Sequence, residues 1–459
     1  HTTRRFFGYL VDKCMMPSFY EFENEGFFSA GQGHMIRFAL ATLAKADSPS
    51  TTDFVFQAKA THDLRVPERH FTLSVSDISL LNPNTLTCPI FLTKTDATLT
   101  KKIYSTVPVF IREDETTPVN LWGVEFLTMF HMANDSALFR TSAELRQLGA
   151  KVSGADWVTP DGDTYVRLYE AKMMYMYNHR HGDFAFAADG ERVHRLPPTP
   201  LTKLQDHAYL VRSYYWVQKT EVENRLSAKH WHSDWLLAWR NVTDARASER
   251  TVIFSVLPRE GAAHSLQLLL PRSSTPQLQA CLLANFNSLV LDYVARQKLG
   301  GINLTLFVVM QLPILPSHSY KGEDQSYIAS RVGKLVCTAE DVRSFGTATD
   351  AVKLVVWDEA DRANIRAELD AYFAHLYGLT RLELQYILNP EDVVGPNFPG
   401  ETFRVLKDRE EKEYGEYRTR RLVLKAFDRL AGSPRFRDEM PKRKSVLDYP
   451  KKLAQSVAD

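Results

Sequence analysis

Cysteine is scarce in this chain: four residues among 459, Cys14, Cys88, Cys281 and Cys337, with no Cys-x-x-Cys pair. That scarcity excludes a zinc ribbon, a dithiol couple and a disulfide-stapled scaffold, and the simplest expectation is a reduced, cytoplasmic setting. No apolar run reaches the roughly 18 residues of a membrane helix, and His1-Thr2-Thr3-Arg4-Arg5 does not have the pattern of a signal peptide, so no membrane partner is expected. Neither sign of charge is in excess: 56 Lys and Arg stand against 55 Asp and Glu, a formal net charge of +1. Any nucleic-acid face must therefore be a local concentration of charge. Gly-rich phosphate loops, Ser or Cys nucleophile elbows and a His-Glu-x-x-His zinc motif are also missing. His179 and His181, like His230 and His232, lack the partners a metal would need.

The composition that remains, 44% apolar and 24% charged, is that of a globular protein with ample core. "RRFFGYLVDKC" reads as a helix, and "PSFYEFEN", "HMIRFALATL" and "DFVFQA" as strands, so residues 1–57 have the texture of the closing strands of an α/β domain. Residues 58–160 read as a connecting layer, in which the Thr-Ser-x-Glu start of "TSAELRQLGA" signals a capped helix. Residues 161–320 are strand-dominated, through "TYVRLYEAKM", "YLVRSYYWVQ", "DWLLAWRNVT", "RTVIFSVLP" and "SLQLLLP", around one expected helix, "PQLQACLLANFNSLVLDYVARQK". Residues 321–459 turn helical, with Thr338 and Asp358 in cap positions. The expected class is α/β to α+β: closing strands of a core, a strand-rich mixed domain and a helical C-terminal tail.

One stretch invites a nuclease reading. Glu170 and Lys172 in "DGDTYVRLYEAKMMYMYNHRHGDF" have the Glu-x-Lys spacing that, with an Asp, holds a divalent metal and the attacking water. Residues 164–173 contain no turn former, however, and nine extended residues place Asp161 on the order of 30 Å from Glu170. Asp163 fails for the same reason. A structural ion pair is the better expectation, with the nuclease using Glu170 and Lys172 a minor alternative.

Several segments together resemble one family, the large adenine-specific DNA methyltransferases of bacterial restriction and phage-defence systems, of BREX and DISARM type and as fused restriction-methylases. The resemblance rests on "LSVSDISLLNPNTLTCPIFLTKTDATLTKKIYSTVPVFI" (73–111), "LYEAKMMYMYNHR" (168–180) and "WLLAWRNVTDARASERTVIFSVLP" (235–258). It continues in "NSLVLDYVARQKLGGINLTLFVVMQLPILP" (287–316), "RAELDAYFAHLYGL" (366–379) and "YGEYRTRRLVLKAFDRL" (414–430). The family usually has Gly where Ala171 stands and Asp where Asn178 stands. Two of its motifs are missing: the Asn or Asp-Pro-Pro-aromatic loop that holds a flipped adenine, of which Asn82-Pro83-Asn84 is a superficial echo, and the Gly-rich turn for S-adenosylmethionine.

The resemblance implies the carboxy-terminal half of such an enzyme: the end of the methyltransferase core, a target-recognition domain and a helical tail. Catalytic residues, metal and cofactor are then expected to be absent from this chain, with S-adenosylmethionine bound by the missing half. The implied partners are double-stranded DNA, the N-terminal methyltransferase half in the same or a separate chain, and other defence-system subunits. Base reading needs Arg, Lys, Asn or Gln on rigid backing. Tyr293, Arg296, Gln297, Lys298 and Asn303 form the densest such cluster, and Arg240 and Asn241 lie beside several Trp residues. Lys172, His179 and Arg180 come next, either touching phosphates or bracing a domain junction; Arg418, Arg420, Arg421 and Lys425 on a late helix are further phosphate candidates. The alternative is a stand-alone DNA-binding specificity or recruitment subunit of a defence complex.

Overall fold

Strand-forming stretches near the N-terminus fall into one sheet. In the computed structural model, which describes residues 6–10, 13, 15–28, 37–45, 51–113, 118–187, 193, 195–272, 274–350, 354–395 and 402–447, β1 (Ser18–Glu23) pairs antiparallel with β2 (Arg37–Thr42) and parallel with β3 (Thr51–Ala58). β4 (Phe71–Ser74) adds to β3, giving the order β2-β1-β3-β4. The sheet therefore runs on past residue 57, because Phe71 and Leu73 turn the same face inward as Phe54 and Phe56. Phe54, Phe56 and Phe71 lie nearly parallel, at 10° to 17°, with centroids 5.6 to 6.0 Å apart. Ser74 then caps α1 (Val75–Leu81), and Thr93 caps α2 (Lys94–Thr106), each accepting from a backbone N–H in the first turn. Asn84, in the echo of the adenine loop, is buried and bonded to the backbone of Ile111 and Glu113.

A short ribbon, β5 (Ile111–Arg112) with β6 (Val119–Asn120), leads to β7 (Val124–Leu127) and into two further sheets. One has the order β8-β12-β11-β10-β9, from β8 (Arg140–Thr141), β9 (Lys151–Ser153), β10 (Asp156–Val158), β11 (Thr164–Tyr169) and β12 (Tyr215–Gln218). Between β8 and β9 lies α3 (Ser142–Gln147), with the expected Thr141–Glu144 capping box. The other sheet is antiparallel, β14-β13-β16-β7, from β13 (Trp235–Arg240), β14 (Phe254–Pro258) and β16 (Leu266–Pro271). β15 (Gly261–Ala262) joins the sheets by pairing parallel with β11. The central strand β13 buries Trp235 through Trp239 without alternation, since both of its faces are covered.

The sequence predicts one helix over 276–298; the chain forms two, α4 (Pro276–Phe286) and α5 (Leu289–Arg296), bent by 50°. The break has a local cause. Asn287 bonds the backbone N–H and C=O of Phe254, and Ser288 caps α5 by accepting from Leu291 N–H. Phe254 in turn stacks on Phe286 at 4.1 Å, seating the antiparallel sheet on α4. The strand expected over 164–173 also ends early, at Tyr169, in a 3-10 turn at Ala171–Met173.

The C-terminal part is helical, as expected: α6 (Gly322–Val336), α7 (Glu359–Leu376), α8 (Arg381–Leu388), α9 (Arg404–Tyr414) and α10 (Arg418–Ala431). The architecture is mixed α+β, and one buried apolar cluster runs from Leu10 to Phe436 through all of these parts. Among the described residues no single helix is long and apolar enough to cross a membrane; α4 and α5 reach that composition only as a bent pair, whose residues are largely buried. Of the basic stretch "PKRKSVLDYPKK" (441–452), residues 448–452 lie outside the described residues.

Candidate anion-binding cleft

Two segments singled out in the sequence meet at the end of β13. An isolated antiparallel bridge joins Val242 to Asn303, Leu304 N–H donates to Asn241 C=O at 2.7 Å, and Thr243 N–H donates to Ile302 C=O at 3.0 Å. Trp239 Nε1 donates to Leu304 C=O at 3.0 Å and backs the junction from within. Asn303 is exposed, and Arg240 and Asn241 are half-buried beside it.

Arg240 opens onto a cleft of about 480 Å3, walled by the 175–181 segment, the loop after β13, α7, α9 and the start of α10. Six arginines line it, Arg240, Arg250, Arg362, Arg366, Arg409 and Arg418, against four carboxylates, Glu249, Glu359, Asp370 and Glu410. Arg250 pairs with Asp292 at 2.6 Å, Arg366 with Glu359 at 3.2 Å, and Arg409 with Glu249 at 2.6 Å. Arg240, Arg362 and Arg418 have no carboxylate within ion-pair distance among the described residues, and the Nε of each is buried without a hydrogen bond.

The electrostatics follow from burial. Burial, with the Arg240 charge adding to it, pushes the His181 imidazole down to about 4, so it is neutral at physiological pH while its ring stacks on Tyr175 at 5.0 Å. Burial and the neighbouring Arg366 push Arg362 down to about 9. Burial pushes the Asp370 carboxyl up to about 6, the Arg250 charge opposing it. The cleft is thus cationic and partly dehydrated, with Tyr175 and Trp357 in its lining, conditions under which an anion is held strongly.

The remaining predicted residues are engaged inside the protein. Tyr293 is 1% exposed and donates to Asp96, and Gln297 accepts from Thr100 at 2.6 Å. Arg296 donates to the carbonyls of Ala245, Ser248, Glu249 and Thr402 and pairs with Asp292 at 3.2 Å. Lys298 Nζ bonds Leu81 C=O and Asn82 Oδ1 under the Tyr104 ring, and burial drives its pKa well down. Four of the five residues in the densest polar cluster therefore serve buried partners within the fold, and Asn303 alone is exposed. They are polar because α5 is enclosed and its surroundings present groups that need hydrogen-bond partners.

The Glu170–Arg180 segment behaves as a brace. Lys172 pairs with Glu170 at 3.5 Å, as expected, and donates to Val193 C=O at 2.7 Å. His179 bonds Asp341 at 2.8 Å, and the fully buried Arg180 donates to the carbonyls of Lys203, Leu204, Asp206, Tyr209 and Thr338. Asp161 and Asp163 are exposed at the far end of β11. Among the described residues no group of three or more His, Cys, Asp or Glu is placed to hold a metal ion. On α10, Arg420 pairs with Asp392 and Arg421 with Glu416, while Arg418 faces the cleft.

Tyr175, Trp357, Arg362, Arg366 and Arg409 were not singled out in the sequence. The one signal that could have found any of them is the i, i+4 spacing of Arg362 and Arg366, which sets both on one face of α7. No family model matches the chain, and no curated protein matches its sequence.

Proposed function

We propose that this chain reads duplex DNA as the target-recognition half of an adenine-N6 DNA methyltransferase of a restriction or phage-defence system, S-adenosylmethionine being held by a catalytic half outside it. The observation that carries the reading is the meeting of Arg240, Asn241 and Asn303 at one bridged junction beside an arginine-rich cleft. Their chemistry suits base recognition. An Arg fork matches the two acceptors of guanine, the exposed Asn303 amide matches the donor and acceptor of adenine, and a rigid Trp-backed strand end holds them in place. On this reading the β2-β1-β3-β4 sheet, with its mixed parallel and antiparallel pairing, is the closing edge of the methyltransferase core. The Glu170–Arg180 segment braces the recognition part against the helical part, through Asp341 and Thr338, rather than touching DNA.

The purified chain is expected to bind duplex DNA at about 50 mM salt, to lose most of that affinity by about 200 mM, and to transfer no labelled methyl group. Absence of DNA binding at the lower salt would sink the recognition reading. Methyl transfer by this chain would sink the assignment of catalysis to another half.

A further inference from the structure

We infer that the cleft beneath Arg240 is a binding site for the phosphate ester of a nucleotide. A guanidinium removed from water needs an anion or a full set of acceptors, and each one lacking them carries an uncompensated desolvation cost. Arg362 is 3% exposed; it donates to Leu335 C=O at 2.6 Å and Tyr177 C=O at 3.5 Å, yet its Nε is buried with no acceptor. Arg240 and Arg418 present the same unmatched Nε to the same cleft. Three guanidiniums without counter-charges in one recess are more than folding alone explains.

The charge balance sets the ligand's sign and size. Six arginines and four carboxylates leave two positive charges over, and these match one phosphate monoester or a pair of backbone phosphates. A volume of about 480 Å3 is far more than a bare phosphate fills and lies in the range of small-ligand sites. The organic part has its own surface in Tyr175, whose ring is steadied by His181. Trp357 is occupied on one face by Arg362, 3.6 Å from the ring centroid, which fixes that guanidinium instead of leaving it to swing out to solvent. A free nucleotide and a nucleic-acid strand present the same recognising chemistry.

The test is isothermal titration of the full chain with adenosine monophosphate, inorganic phosphate and a short single-stranded oligonucleotide, repeated on Arg240→Gln and Arg418→Gln. Thermal midpoints of the variants show whether each still folds; neither guanidinium makes a described hydrogen bond, so both variants are expected to keep the wild-type midpoint. Binding of the mononucleotide or of the oligonucleotide, weakened about tenfold or more by either substitution, supports the site and tells the free source from the strand. Failure of both ligands to bind, binding unchanged in both variants, or inorganic phosphate binding as tightly as the mononucleotide would overturn it. Mononucleotide binding without duplex binding would leave this site standing while removing the DNA-recognition reading.

Discussion

Asp341 ties two buried basic side chains together: one carboxylate oxygen bonds His179 Nε2 at 2.8 Å and the other accepts from Arg167 at 2.8 Å. Arg167 is also held by Glu260 through two hydrogen bonds, at 2.7 and 2.5 Å. The network joins the Glu170–Arg180 segment, β11 and the 3-10 turn Glu340–Val342 that follows α6. Asp341→Asn removes the anion and leaves Arg167 with one carboxylate and His179 with none, so a loss of about 3–5 kcal/mol is expected in urea unfolding. An unchanged midpoint would show that the network does not hold these parts together.

Three histidines, His179 and His375 buried and His181 half-buried, give the protein an acid-side weakness. Burial lowers His179 below its ordinary 6.5 and pushes His181 and His375 down to about 4. Their folded pKa values are depressed, so the unfolded chain takes up the proton first. Their contribution is complete above about pH 6.5 and is lost as pH falls below it, at up to about 1.4 kcal/mol per pH unit for each residue. Asp341, held well below the usual carboxylate range by His179 and Arg167 against its own burial, adds a second loss below the ordinary Asp pKa. Asp370, pushed up to about 6, works in the opposite sense. The histidine part is therefore isolated by comparing wild type with His375→Gln between about pH 7.5 and about pH 5. The variant is expected to show the shallower decline, and equal slopes would contradict the assignment.

Arg296 bears on what the sequence could show. As a base reader, its loss should impair discrimination between DNA sites more than bulk affinity. Its place beneath four carbonyls predicts instead that Arg296→Ala destabilises the fold by about 3–5 kcal/mol, and that Arg296→Lys does not restore the loss, since an ammonium cannot reproduce the fork. A variant of wild-type stability with altered site preference would return Arg296 to the DNA surface.

Gly182 marks how tightly the brace is folded. A Cβ built there would lie 2.5 Å from Lys172 C=O and 3.0 Å from Leu196 Cδ2. Since the first of these is backbone, Gly182→Ala is expected to cost about 2 kcal/mol or more in chemical denaturation. A neutral effect would mean that the two passes of chain can separate cheaply.

The legible parts of the sequence were those set by local chemistry. Caps at Thr141 and Asp358 mark helices because the side chain and the N–H it satisfies lie within one turn, whereas Thr338, also read as a cap, caps none and instead accepts from Arg180. Strand ends were less legible: nothing local to 164–173 shows that Ala171–Met173 turns as a 3-10 helix, and the bend at Asn287–Ser288 depends on Phe254, 33 residues away in the chain. The candidate site was legible in part. Arg240, Asn241 and Asn303 could be named, but Tyr293, Arg296, Gln297 and Lys298 share their composition and differ only in burial. The cleft's other arginines come from the loop after β13, α7, α9 and α10, and only the tertiary fold assembles them.

Arg240, on the proposed reading, faces an anionic partner, DNA, and not the protein's own acceptors. The most direct test is duplex binding of wild type and Arg240→Gln to a site selected by the wild-type chain from random duplexes and to random duplex, with thermal midpoints alongside. The predicted result is a loss of about 1–3 kcal/mol on the selected site and a smaller loss on random duplex, with an unchanged or slightly higher midpoint. Identical affinities, equal losses on both duplexes, or a variant that unfolds would contradict this role for Arg240.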